Sequence, residues 1–202
     1  SSLGAEAIYS FLNRKIRKRF SFVNNIDLSG NKTNKINQLN IIISKSGNTL
    51  ETLTNLNYQK VKKNCLFITE NKNSYLRNLA LKLKSEIIEH NNFIGGRYSV
   101  LSETGMIPAF FMGLEPNNFK RLDNLISSNK FINMLTYNVS SIFSFHQKKK
   151  NNSIILNYDE NSNNLFYWYQ QLVAESLGKS SKGILPIVSP VPKDNHSVMQ
   201  LY

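Results

Sequence analysis

Apolar residues along this chain alternate between short unbroken runs and a helical spacing of three to four, and each change of pattern marks an element. Ile41-Ile42-Ile43, Cys65-Leu66-Phe67-Ile68 and Ile87-Ile88 are compact and largely β-branched, as buried parallel strands are. Between them, Leu50, Leu53, Leu56 and Val61 predict a helix over 49–63, and Leu76, Leu79, Ala80 and Leu83 predict one over 74–84. Strands alternating with helices of this length imply an α/β fold, a parallel sheet flanked by helices on both faces.

The flanking segments follow the same logic. Ile8, Phe11, Leu12 and Ile16 predict a helix over 5–18 that ends in a basic run, and Phe20 to Val23 alternate as a strand would. Residues 28–37 are polar and read as turn plus short helix. A helix is expected over 103–112, and 117–147 read as mostly helical and apolar enough to be packed. Lys148 to Asn152 form the linker candidate, giving a first domain over 1–115, a helical connector over 116–150 and the start of a second over 151–202. There a strand over 153–158, a helix over 162–177 and a strand-like run over 183–188 restart the pattern. Residues 193–197 look like a cap leading into a last, amphipathic helix.

One turn carries candidate chemistry. Ser44, Lys45, Ser46, Gly47, Asn48 and Thr49 join the first apolar run to a helix, with three hydroxyls, an amide, a cation and a glycine. Asn48 can cap that helix, with Glu51 as its capping-box partner. Backbone N–H groups and a helix N-terminus at such a turn suit an anion. Read locally, the turn is either a phosphate cradle or an ordinary βα turn with a good N-cap; it lacks Walker spacing. Its place at the carboxyl end of a parallel strand, where ligands bind in such sheets, favours the cradle.

Other loops are similarly two-sided. Gly95-Gly96-Arg97-Tyr98-Ser99 can bring backbone and an arginine close to an anion, or be a turn with a surface arginine. Glu175 falls in the last turn of its helix, with Gly178 as C′ residue. The negative helix end and partial burial would raise its pKa toward that of a useful base; otherwise it is a solvated glutamate. His196, in the first turn of the last helix, would be kept neutral and able to exchange protons, or be a capping-region residue.

Composition changes this picture little. The 202 residues carry a formal net charge of +12, which favours anionic partners. The basic residues are scattered, without the contiguous face and interleaved aromatics of a nucleic-acid binder. Cys65 is the only cysteine, so no internal disulfide forms, and it reads as a core residue. No stretch is long and apolar enough to span a membrane and no signal peptide opens the chain, which makes a reducing cytoplasm the simplest home.

Taken together, six stretches resemble the phosphoglucose isomerase family, built from two Rossmann-like sugar-isomerase (SIS) domains. They are Ser1-Ser2-Leu3-Gly4-Ala5, Asn25-Ile26-Asp27, the 44–52 turn, Gly95 to Ser99, Ala174 to Lys179, and Lys193 to Ser197 with Gln200-Leu201-Tyr202. They occur in the family's order over the whole chain. The resemblance implies an aldose–ketose isomerase of glycolysis and gluconeogenesis acting through a cis-enediol, with a sugar phosphate as substrate. It implies a phosphate site at Ser1, Ser44, Lys45, Ser46 and Thr49. Glu175 would move the proton, Arg97 would steady the enediolate, and His196 would open the sugar ring. Glu51 would orient that histidine. It further implies a homodimer with shared sites in which His196 serves the partner subunit, and neither metal nor cofactor; three histidines and one cysteine offer no metal cluster. No membrane or nucleic-acid partner is implied. The glycines expected before Ser1 and the family's C-terminal lysine loop are missing, so the chain reads as the middle of a longer protein, inactive alone or nearly so. Large apolar residues such as Phe166, Trp168 and Leu201 should then be unusually exposed. The competing reading is a non-catalytic SIS module that only binds a sugar phosphate.

Overall fold

The computed structural model describes residues 2–26, 38–59, 63–180 and 182–202. Ser1 and the turn expected over 28–37 lie outside these.

Two parallel sheets are present among the described residues. The first has strands β1 (Asn40–Ile43), β2 (Cys65–Thr69) and β3 (Glu86–Glu89) in that spatial order. Ile42 is opposite Phe67, and Phe67 opposite Ile87, so these three share one face. The crossover helices α2 (Leu50–Gln59) and α3 (Tyr75–Lys82) pack on that face through Leu56, Leu76 and Ala80. Leu66 and Ile68, on the opposite face, are buried as well, as expected of a sheet covered on both sides. Phe67 is 0% exposed, and burying a side chain of that size contributes about 1.5–3 kcal/mol.

The second sheet pairs β4 (Asn152–Asn157) with β5 (Leu185–Pro190), joined by helix α7 (Asn163–Leu177). The α/β pattern resumes after the linker, as expected. The proposed domain division, however, is crossed at the start of the chain. Helix α1 (Leu3–Phe11) lies against α7, where the Asn164 amide donates to Ser10 Oγ at 2.7 Å and the Asn13 amide to Asn161 Oδ1 at 2.5 Å. Helix α4 (Glu103–Phe111) packs against α1 through Ala109, Met112 and Ile8.

Several expectations are corrected. Helix α1 stops at Phe11, followed by a single 3-10 turn, and Leu12 and Ile16 still pack on the core from outside the helix. Residues 20–23 form no strand. Phe20 and Phe22 instead fold back onto Tyr9, with ring centroids 5.8 and 5.5 Å away, so their apolar surface is buried without a ladder. The segment over 117–147 is helical, as α5 (Leu122–Ile126) and α6 (Asn129–Gln147), but it is not packed. No residue of α6 is buried, and Met134, Leu135, Tyr137, Val139 and Phe143 stand exposed. No regular helix closes the described chain: 193–196 and 198–201 are separate 3-10 turns, broken at Ser197. Leu201 is 85% exposed, while Phe166 and Trp168 are half-buried. No helix among the described residues is long and apolar enough to cross a membrane.

Candidate active site

All three strands of the first sheet run in the same direction, so the segments leaving their carboxyl ends gather along one edge. They are residues 44–49 after β1, 70–74 after β2 and 90–96 after β3.

The first loop is tightly built. Ser44 is buried; its Oγ accepts from Gly47 N at 3.1 Å and lies 2.7 Å from Thr49 Oγ1. Gly47 has φ +67°, a left-handed conformation, and a Cβ there would collide with the Ser74 side chain. Asn48 does cap a helix, but not its own: its Oδ1 accepts from Tyr75 N at 3.0 Å, at the start of α3. Ser74 caps the same helix through Arg77 N. Helix α2 begins at Leu50, with Glu51 exposed in its first turn. Ser46 and Thr49 are exposed. Replacing Gly47 with Ala should therefore cost about 1–3 kcal/mol of stability, since the left-handed backbone and the Ser74 contact are both violated. Chemical denaturation measures it.

Lys45 leaves this loop toward its neighbours. Its ammonium donates to Asn92 O at 2.9 Å and Ile94 O at 2.8 Å and lies 3.4 Å from Glu70 Oε1. Lys72 first, and Lys45 after it, hold the Glu70 carboxyl below the usual carboxylate range, against the burial that would raise it. His90, buried at the end of β3, pairs with Glu103. Glu103 Oε1 also accepts from Asn91 N at 2.9 Å.

The segment fixed in this way leads directly into Arg97. Arg97 Nη1 lies 3.4 Å from Glu175 Oε2, a contact between residues 78 apart in sequence. Trp168 Nε1 donates to Arg97 O at 2.9 Å, and Tyr98 OH is 2.8 Å from Ser176 Oγ. The guanidinium carbon sits 4.8 Å from the Tyr98 ring centroid, a cation–π distance. The Ser176 hydroxyl, then Arg97, lower the Tyr98 phenol from its ordinary value. Among the described residues, Arg97 Nε is buried and has no hydrogen-bond partner. A Cβ on Gly96 would meet nothing within 4 Å.

Glu175 differs from expectation in one respect. Its side chain is 46% exposed, and its carboxylate accepts from Gln171 Nε2 at 2.8 Å as well as facing Arg97. Gly178 ends the helix at φ −78°, not left-handed; it is needed because a Cβ would lie 2.5 Å from Ala174 O.

Arg97 and Glu175 are thus brought together, and the 44–49 loop is tied to the segment that carries Arg97. Among the described residues, no hydrogen bond or ion pair joins His196 or Glu51 to this group, and both are exposed. His196 ends a 3-10 turn rather than standing in the first turn of a helix, so the helix-end argument for its neutral ring does not apply. Sequence reasoning alone does not single out Glu70 and His90. Both directly follow a strand's carboxyl end, and that position is the available signal.

The fold and this edge define an α/β protein of parallel units, with polar, charged loops gathered at the strand ends. Residues 1–184 match the phosphoglucose isomerase family. Among curated proteins, the chain is 34% identical to the glucose-6-phosphate isomerases of Methanocaldococcus jannaschii and of Campylobacter jejuni. In each case all of the chain and 54% of the relative are covered. The crystal structure of a hypothetical protein from Thermus thermophilus superposes with a TM-score of 0.80 at 23% identity, over 99% of this chain and 53% of that one. The chain belongs to the phosphoglucose isomerase family, and it spans about half the length of the curated relatives it matches.

Proposed function

We propose that the protein is an aldose–ketose isomerase that interconverts glucose 6-phosphate and fructose 6-phosphate, working as a cytoplasmic homodimer with shared sites. The single observation that carries this is the facing of Arg97 and Glu175, 3.4 Å apart, with Arg97 on a segment that Lys45 ties to a hydroxyl-bearing turn at the carboxyl end of β1.

The chemistry needs a base that takes a proton from one carbon and returns it to the next. It also needs a cation where the enediolate charge develops. Glu175 is exposed enough to reach substrate and is steadied by Gln171. Arg97 supplies the positive charge and the directed N–H groups of its guanidinium. Ser46 and Thr49 present exposed hydroxyls to the phosphate, with loop N–H groups beside them. His196 serves ring opening from the partner subunit, oriented there by Glu51. Ser1 completes the phosphate site. A module that merely binds a sugar phosphate has no use for the Arg97–Glu175 pairing, which weighs against the non-catalytic alternative.

The test is a coupled assay on fructose 6-phosphate with the full gene product, alongside the Ser46→Ala, Thr49→Ala double variant. The double variant should keep its fold and lose about a hundredfold or more in sugar-phosphate affinity by calorimetry, since two hydroxyl hydrogen bonds to a charged group are worth about 1.5–3 kcal/mol each. Absence of turnover in the unsubstituted protein rejects the isomerase. Unchanged affinity in the double variant rejects the cradle.

A further inference from the structure

We infer that Lys45 and Glu70 form a latch that positions Arg97, and that the Lys45 ammonium is spent on this latch rather than on substrate phosphate. The inference rests on the isomerase reading for its consequence in turnover, but its geometry does not.

An ammonium has three N–H donors. Those of Lys45 have three partners in place: Asn92 O at 2.9 Å, Ile94 O at 2.8 Å and Glu70 Oε1 at 3.4 Å. None is left for a phosphate oxygen. The backbone of the same residue is tied to the strand carrying Glu70, since Glu70 N and Thr69 Oγ1 both donate to Lys45 O. Glu70 is held in turn: its side chain is only 9% exposed, and its second oxygen pairs with Lys72 at 2.5 Å. The two carbonyls that Lys45 grips belong to the segment immediately before Gly95-Gly96-Arg97. His90 Nε2 grips Ile94 O from the other side at 3.2 Å.

The phosphate turn and the arginine segment are therefore one mechanical unit, joined by a charge that needs its counter-charge. Remove Glu70 and the lysine loses the partner that aims it at Asn92 and Ile94. Remove Lys45 and the arginine segment loses its tie to the turn. Neither change touches the hydroxyls or N–H groups of the phosphate turn. Lys45 and Glu70 are positioning residues: they act through Arg97.

The latch and a direct phosphate contact predict different outcomes. With the full gene product, amide hydrogen exchange over 91–97, calorimetric affinity for inorganic phosphate, and kcat and KM for fructose 6-phosphate are measured. The variants are Lys45→Met, Glu70→Gln, the double variant, and Lys82→Met as a control at an exposed lysine of α3 outside the latch. Under the latch, both single variants speed exchange over 91–97, and the double variant adds nothing further. Phosphate affinity and KM stay within about twofold, while kcat falls about tenfold to a hundredfold because the arginine is misplaced rather than absent. The control changes none of these. If Lys45 is a phosphate ligand, Lys45→Met weakens phosphate binding about tenfold or more and raises KM with exchange over 91–97 unchanged, while Glu70→Gln does not weaken binding. That pattern overturns the latch. Glu70→Gln is isosteric and separates the two outcomes through exchange over 91–97 where Lys45→Met fails to fold. Should the unsubstituted protein show no turnover, the isomerase reading fails, and exchange over 91–97 alone still decides the latch.

Discussion

The Glu175→Gln protein should bind sugar phosphate with near-unchanged affinity and turn it over about 100- to 10,000-fold more slowly, the contribution of a positioned general base. The amide keeps the size of the carboxylate and can keep a hydrogen bond with Gln171, but it cannot accept a proton from carbon. Incorporation of deuterium at C1 and C2 of the sugar in heavy water should stop along with turnover, since both depend on the same proton transfer. The substitution also removes the charge facing Arg97 at 3.4 Å, so the affinity measurement reports whether the guanidinium stays in place. Near-normal exchange into the sugar with Gln at this position would remove Glu175 from the role of base.

The second large effect is a recovery. In a two-fold dimer each contact is made twice, so a residue donated one way is also donated back. Each proposed site then holds Glu175 from one subunit and His196 from the other. Glu175→Gln and His196→Ala homodimers should both be impaired. A mixed dimer has one site lacking both groups and one with both intact. Co-refolding equal amounts of the two full-length variants gives half mixed dimers, and activity should return to about a quarter of the unsubstituted level. If His196 acts within its own chain, every site stays defective and none returns.

The elements most legible in the sequence were those set by local pattern. Each apolar β-branched run became a parallel strand, and each helically spaced run between them became a crossover helix, because both signals are fixed by a side-chain period that neighbours along the chain already satisfy. Failures came where the pattern was ambiguous or the partner distant. Phe20 to Val23 alternate like a strand, yet Phe20 and Phe22 pack half-buried on Tyr9 instead, and Val23 stays exposed. Helix α6 has the composition of a packed helix, but composition does not say what packs on it.

By itself, the sequence determined the alternation of strands and helices, the polar turn at 44–49 between strand and helix, and the family. Tertiary structure alone decided the chemistry of individual side chains. Asn48 is a cap in either case, yet which helix it caps depends on α3 arriving beside the turn. In sequence Lys45 is only a cation within a hydroxyl-rich turn; in the fold Glu70, Asn92 and Ile94 converge on it from two other strand ends. Arg97 and Glu175, 78 residues apart, become a pair only when the second unit packs against the loop after β3. Local periodicity is a property of consecutive residues. A site is a property of distances between residues that only the folded chain brings together, and the charge and hydrogen-bond partners that set its reactivity come with that approach.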